Sequence, residues 1–190
     1  ESFHKSIIFV IVKIYLTFDY ELFFGSLSGT VQKCMLDPTE QLFELAREKS
    51  VYYTFFVDVG YLIQAEKYPD LANELSKVKN QVKQMIELGH SVQLHIHPHW
   101  EKAVLENGKW KMNVDGNYKL SDFPKEERTH IIEKYKAYLE SLIAKKVDTF
   151  RSGGWCIQPF SDLKDDFERL GILNDSSVIQ GNFMKTSNYN

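Results

Sequence analysis

At 190 residues, with 43% hydrophobic and 26% charged residues, the chain has the composition of one globular domain, and neither disorder nor a fibrous repeat fits it. A formal net charge of -3, with no Lys/Arg run, excludes nucleic acid as its main partner. The two cysteines, Cys34 and Cys156, form no C-x-x-C and indicate neither a disulfide scaffold nor a cysteine-rich zinc site.

The N-terminal run "SIIFVIVKIYLTF" is too short to span a bilayer, is interrupted by Lys13 and is followed by no small-residue cleavage site. It reads as a buried parallel strand, so no transmembrane segment and no signal peptide are expected, and a cytoplasmic location follows as the expectation. Residues 1–12 fit the rest less well and are read as extraneous to the domain. In "DPTEQLFELAREK", Asp37 suits a helix cap, Pro38 the first helical position and Glu40 a capping box. Val51 to Val57, "VYYTFFV", is β-branched and aromatic and reads as a second strand.

From Pro69 to Leu88, the residues Leu71, Leu75, Val78, Val82 and Ile86 recur at spacings of three and four, and Gly89 can end that helix. "SVQLH" is a short third strand. An insert follows, roughly Trp100 to Phe123, whose Asn-Gly and Asp-Gly pairs signal hairpins. It either covers the strand ends or is a solvated excursion. Ile131 to Ile143 repeats the amphipathic helix pattern, "VDTFR" is a fourth strand before the loop "SGGWC", Phe160 to Leu170 a fourth helix, and "GILNDSSV" a fifth strand with its outgoing loop.

Alternating strands and helices imply parallel strands covered by helices, in an open α/β sheet or a (β/α) barrel. Both architectures collect their chemistry at strand C-terminal ends. The acids of "FDYE", the histidines of "LHIHPHW" and the arginine of "FRSGG" all fall there.

His95, His97 and His99 crowd into five residues, and imidazole is the commonest protein ligand for zinc and related metals. The strand period puts Asp19 and Glu21 on one face with Tyr20 on the other. Two carboxylates at a buried strand end need a partner. They suit a metal ligand with a general base, a base with its orienting partner, or a structural ion pair with Arg151. Arg151 can hold Asp19 ionised and oriented, and the two following glycines permit close backbone approach. Asp58 and Asp175 also end strands, and each suits either loop capping or site lining.

In this order, "TFDYE", "HIHPH" and "FRSGG" resemble the motifs of the NodB-homology polysaccharide deacetylases, carbohydrate esterase family four. "YYTFFV" resembles that family's second strand and "GHSVQLHIHPH" its Gly-His strand ending in two histidines four apart, so the resemblance runs from about Lys13 to Val178. It implies a distorted (β/α) barrel of NodB type, incomplete at the C-terminal end, in one domain spanning 1–190. It also implies a divalent metal, usually zinc. By motif, Asp19 matches the family's catalytic base, Arg151 the arginine orienting it, and His95 and His99 the metal histidines.

This sequence departs from the family in three places. Tyr20 stands where the metal aspartate is usual, so Glu21 is expected to replace it; "RSGGW" stands for an Arg-x-Pro-aromatic motif; and no Leu-x-His motif, source of the general acid, follows Val178. The resemblance implies a hydrolase that removes an N-acetyl or other acyl group from an amino sugar, with Trp100 and Trp155 facing a carbohydrate substrate. Two alternatives stand beside it: a non-catalytic carbohydrate-binding domain using Trp100, Trp110 and Trp155, and an amidohydrolase-like enzyme using the His95/His97 pair.

Overall fold

The computed structural model describes residues 13–22, 29–178 and 181. Of the run Ser6 to Phe18 read as a buried strand, residues 6–12 lie outside the described residues, as do the loop directly after Leu22 and nearly all of the final stretch after Val178; in its described part strand begins only at Thr17, and Ile14 and Tyr15 are exposed. In chain order the elements are β1 (Thr17–Tyr20), α1 (Asp37–Lys49), β2 (Thr54–Asp58), α2 (Val59–Ala65), α3 (Ala72–Glu87), β3 (Ser91–Ile96), β4 (Val104–Glu106), β5 (Lys109–Lys111), α4 (Lys125–Ile143), β6 (Thr149–Ser152), α5 (Lys164–Leu170) and β7 (Asn174–Asp175).

The main sheet runs β1-β2-β3-β6-β7 with every neighbouring pair parallel. Each crossover adds its strand on the same side as the last. That is the progression of a (β/α) barrel; a doubly wound sheet would reverse direction. Among the described residues neither β1 nor β7 has a second neighbour, so the barrel is not closed.

The sheet is nevertheless strongly curled. β6 lies three places from β1, and with neighbouring strands about 4.8 Å apart a flat sheet would separate them by roughly 14 Å. Yet Arg151 on β6 reaches Asp19 on β1 at 2.6 Å. Only a sheet rolled about its concave face brings those two side chains together.

Period-two alternation divides the sheet. Thr17, Asp19, Phe56, His95 and Arg151 share the concave face, while Phe55, Val57, Leu94, Ile96 and Phe150 are fully buried in the hydrophobic core. α3 places Leu75, Val78, Val82 and Met85 in that core, as its spacing requires, and α4 adds Ile131, Tyr135 and Leu139.

Several boundaries differ from the sequence reading. α1 is preceded by a π-helical turn, Gln32–Leu36, so Asp37 lies inside continuous helix and does not cap it. The helix α2 carries no periodic signal of its own, being seven nearly all-buried residues started by the Asp58 cap. In the insert, Asn107 and Gly108 take φ of 52° and 72° and close the hairpin β4-β5, as Asn-Gly favours. Asp115-Gly116 makes only a turn. No described helix is long and apolar enough to cross a membrane.

His90, just before β3, stacks against both Phe43 and Tyr53 at 5.5 Å, and its Nδ1 accepts the Tyr53 N–H at 3.3 Å. Burial lowers its pKa from 6.5. The unfolded chain therefore binds a proton that the folded chain resists, and this contribution to stability, complete at higher pH, is lost as pH falls below 6.5. Thermal unfolding should show a shallower loss of stability below that pH in His90→Phe than in the parent; equal slopes would contradict this.

Candidate active site

The concave face ends in a pocket of about 390 Å³ at the C-terminal rim. Its floor is Asp19, Glu21, His95, His97 and His99, from β1, β3 and the turn after β3. Met112, Val114 and Tyr118 from the insert form one wall, and Gly154 and Trp155 after β6 the other. The insert thus lines the site. It is fastened by Trp110, which packs edge-on against Trp100, Tyr68 and Tyr61 at 5.0, 5.4 and 6.2 Å between ring centroids.

Arg151 is held from several sides. One terminal nitrogen donates to Asp19 Oδ1 at 2.6 Å, the other to Thr17 Oγ1 at 2.9 Å and Ser176 Oγ at 2.7 Å, and its guanidinium lies 4.0 Å from the centre of the Phe56 ring. Asp19 is thereby oriented while remaining at the pocket surface.

Glu21 is the electrostatic centre. Its Oε2 lies 3.1 Å from His95 Nε2 and 2.6 Å from His97 Nε2. Burial pushes the Glu21 carboxyl up, but the two imidazoles outweigh it and hold the group well below the usual carboxylate range. His97 responds in the opposite sense: burial lowers its pKa, and Glu21, Asp58 and Asp19 more than reverse this. His99 is pushed down to about 3 by burial and by His97, so it is a neutral imidazole at physiological pH.

The tautomer of His95 is informative. Its Nδ1 sits 2.8 Å from the Arg151 carbonyl oxygen, which only accepts, so Nδ1 carries the hydrogen. In a neutral ring the lone pair of Nε2 then faces the Glu21 carboxylate, and two acceptors 3.1 Å apart need positive charge between them. A proton or a divalent cation satisfies that need. An imidazole whose second nitrogen donates to a backbone carbonyl is also the usual form of a metal-bound histidine. Glu21, His95 and His97 offer donor atoms within 4.8 Å of one another, and they are the compact group of this kind among the described residues.

The structure therefore brings Asp19, Glu21, His95, His99 and Trp155 to one pocket, with Arg151 behind Asp19. The donors grouped most tightly include His97, whereas His99 packs beyond it, its ring 5.1 Å from that of His97 and stacked on Tyr118 at 6.1 Å. His97 was legible from strand alternation, since it shares its face with His95. Tyr118, Met112 and Val114 carried no sequence signal beyond lying in the insert.

Trp100 requires a correction. Expected to face a sugar, it is fully buried, with its indole N–H given to Asp58 Oδ2 at 2.6 Å, so it offers no ring face to a ligand. Trp110 is spent on the aromatic cluster. Trp155, 53% exposed, is the tryptophan open to the pocket.

The two glycines of "RSGGW" each have a steric reason. A Cβ at Gly153 would run into the His97 ring, and one at Gly154 into the Tyr118 hydroxyl. Gly154 and Trp155 also take positive φ of 58° and 57°, a conformation a tryptophan adopts only at a cost. Gly154→Ala should lose roughly 1–2 kcal/mol from the left-handed backbone alone. Urea unfolding measures it; an unchanged midpoint would contradict the packing described.

The profile of the family described as Polysaccharide deacetylase matches residues 12–157. Among solved structures, the chain is similar to a Mycobacterium smegmatis protein assigned as a polysaccharide deacetylase, with TM-score 0.53 and 15% identity over 87% of this chain and 50% of that one. Weaker likenesses are to a polysaccharide deacetylase from Bacillus cereus (TM-score 0.46, 16% identity, 85% of this chain and 58% of that one). Another is to the catalytic domain of a peptidoglycan N-acetylglucosamine deacetylase from Eubacterium rectale (0.46, 17%, 84% and 57%). The chain thus spans about half the length of the first of these. No curated protein sequence matches.

Proposed function

The chain belongs to the polysaccharide deacetylase family, and from that premise we propose that it is the metal-binding part of an amide hydrolase that removes an N-acetyl group from an amino sugar of a polysaccharide or its precursor. The observation that carries the reading is the Glu21–His95 pair, a carboxylate oxygen 3.1 Å from an Nε2 whose ring already donates through Nδ1, beside a base oriented by an arginine. Glu21, His95 and a further imidazole, His97 or His99, would hold a divalent cation, zinc by the preference of imidazole and carboxylate donors. Such a cation, when bound, polarises the amide carbonyl and makes water a nucleophile near neutral pH.

The chain's own residues do the rest. Asp19 takes the proton of the attacking water; Arg151 engages its Oδ1, so Oδ2 is the accepting atom. The guanidinium fixes the carboxylate toward the pocket. Trp155 gives an exposed aromatic face against which a pyranose ring stacks, and Met112 and Val114 give an apolar wall that limits water at the reacting carbon. The reading as a purely sugar-binding domain loses Trp100 to the core, and half-buried Trp110 is engaged in the aromatic cluster with Trp100, Tyr68 and Tyr61.

Zinc content after gel filtration should be about one ion per chain, measured by elemental analysis. Both His95→Ala/His97→Ala and Glu21→Gln should lose it; zinc retained in Glu21→Gln would remove Glu21 from the ligand set. Acetate release from N-acetylglucosamine oligomers by the full-length protein should fall by about 10²–10⁴ in kcat in Asp19→Asn while zinc stays bound. Full turnover by Asp19→Asn would refute its role as base.

A further inference from the structure

Asp58 ends β2 and is fully buried, yet it is no part of the pocket wall. It is the register partner of His95 on β3. Its Oδ1 accepts the Gly60 N–H at 3.2 Å, capping α2, and its Oδ2 accepts the Trp100 indole N–H at 2.6 Å. Capping alone does not call for an acid, because Ser, Thr or Asn caps as well without burying a charge. A carboxylate kept at zero exposure needs a second reason.

Trp100 supplies it. The residue directly follows His99 in the short turn Pro98–Lys102, which brings His99 to the pocket floor. The Trp100 side chain packs directly on Gly60, where a Cβ would come within 2.5–2.7 Å of three of its atoms. The far side of the same turn is tied to α4, where Glu101 accepts from Lys134 at 2.6 Å and from the buried Tyr135 hydroxyl at 2.7 Å. Asp58 pairs in register with His95, and His97 and His95 both act electrostatically on its carboxyl, favouring its ionised form.

We propose that Asp58 is a positioning residue for the cation site: through the Trp100 N–H it fixes the turn that presents His99, and its buried charge backs the imidazoles that hold the ion. The proposal rests on the metal-site reading above. It deepens that reading by assigning a function to the strand-end acid of β2 and to a tryptophan that never meets substrate.

The test is zinc affinity of the full chain by competition with a chromophoric chelator, beside urea unfolding of the metal-free protein. Trp100→Phe keeps an aromatic ring and removes the one donor; Asp58→Asn removes the charge and can keep only one of the two hydrogen bonds. Trp110→Phe removes an indole N–H from the same aromatic cluster without touching Asp58 and serves as the control. Both Trp100→Phe and Asp58→Asn should bind zinc about 10–100-fold more weakly than the parent, with cooperative unfolding retained and Trp110→Phe close to parent. If Asp58→Asn fails to fold, Trp100→Phe decides alone. Parent-like affinity in Trp100→Phe overturns the proposal, and so does an equal loss in Trp110→Phe, which would mean general loosening of the cluster. A parent that takes up no zinc refutes the metal reading itself and this proposal with it, whereas the first two outcomes leave that reading standing.

Discussion

A guanidinium on β6 that reaches a carboxylate on β1 across two intervening strands is the constraint from which the rest of the site follows. It is met only if the sheet rolls, and a rolled parallel sheet sends every strand's C-terminal end toward one axis. Asp19 and Glu21, the histidines after β3 and the Gly-Gly turn after β6 then share a single rim although more than a hundred residues separate the first from the last. The arginine is over-determined for this task. It is hydrogen-bonded to three side chains and laid over Phe56, so its position leaves Asp19 little freedom to turn away.

The second organising fact is a balance of charge in a confined space. Three imidazoles and two carboxylates line the pocket, and a third acid, Asp58, lies buried next to them in register. Burial, helped by the charge of Glu21, pushes the Asp58 carboxyl up to about 6 against the pull of His97, His95 and the Trp100 hydrogen bond. Glu21 is driven the other way once its own burial is outweighed by the two imidazoles. Such a cluster is costly to fold unless positive charge completes it, and structural economy alone would favour apolar residues there. The expense is understandable where the cluster's use is to bind a cation and steer a proton.

Much of this was legible in the sequence because parallel strands carry their chemistry at predictable ends. The alternation placing Asp19 with Glu21 and the arginine after "VDTF" both correspond to what the fold brings together. What stayed hidden was set by tertiary packing. The seven residues of α2 are buried on nearly all sides, so no face contrast marks them as a helix. Trp100 sits beside the histidine cluster in sequence but turns inward, because Gly60 leaves room for its ring and Asp58 waits for its N–H. Nor does sequence spacing tell which histidines meet Glu21: alternation along the extended chain favours His95 with His97, the family pattern His95 with His99, and the turn at Pro98 places His99 one ring further out.

The central claim is that Glu21 and His95 face each other in order to share a cation. The most direct measurement is anomalous X-ray diffraction at the zinc edge from crystals of the zinc-loaded full-length protein. The account predicts one strong peak at about 2.0–2.2 Å from both a Glu21 carboxylate oxygen and His95 Nε2, with a further imidazole, His97 or His99, completing the donor set. A peak bonded to neither Glu21 nor His95, or no peak on the concave face of the sheet, would contradict it.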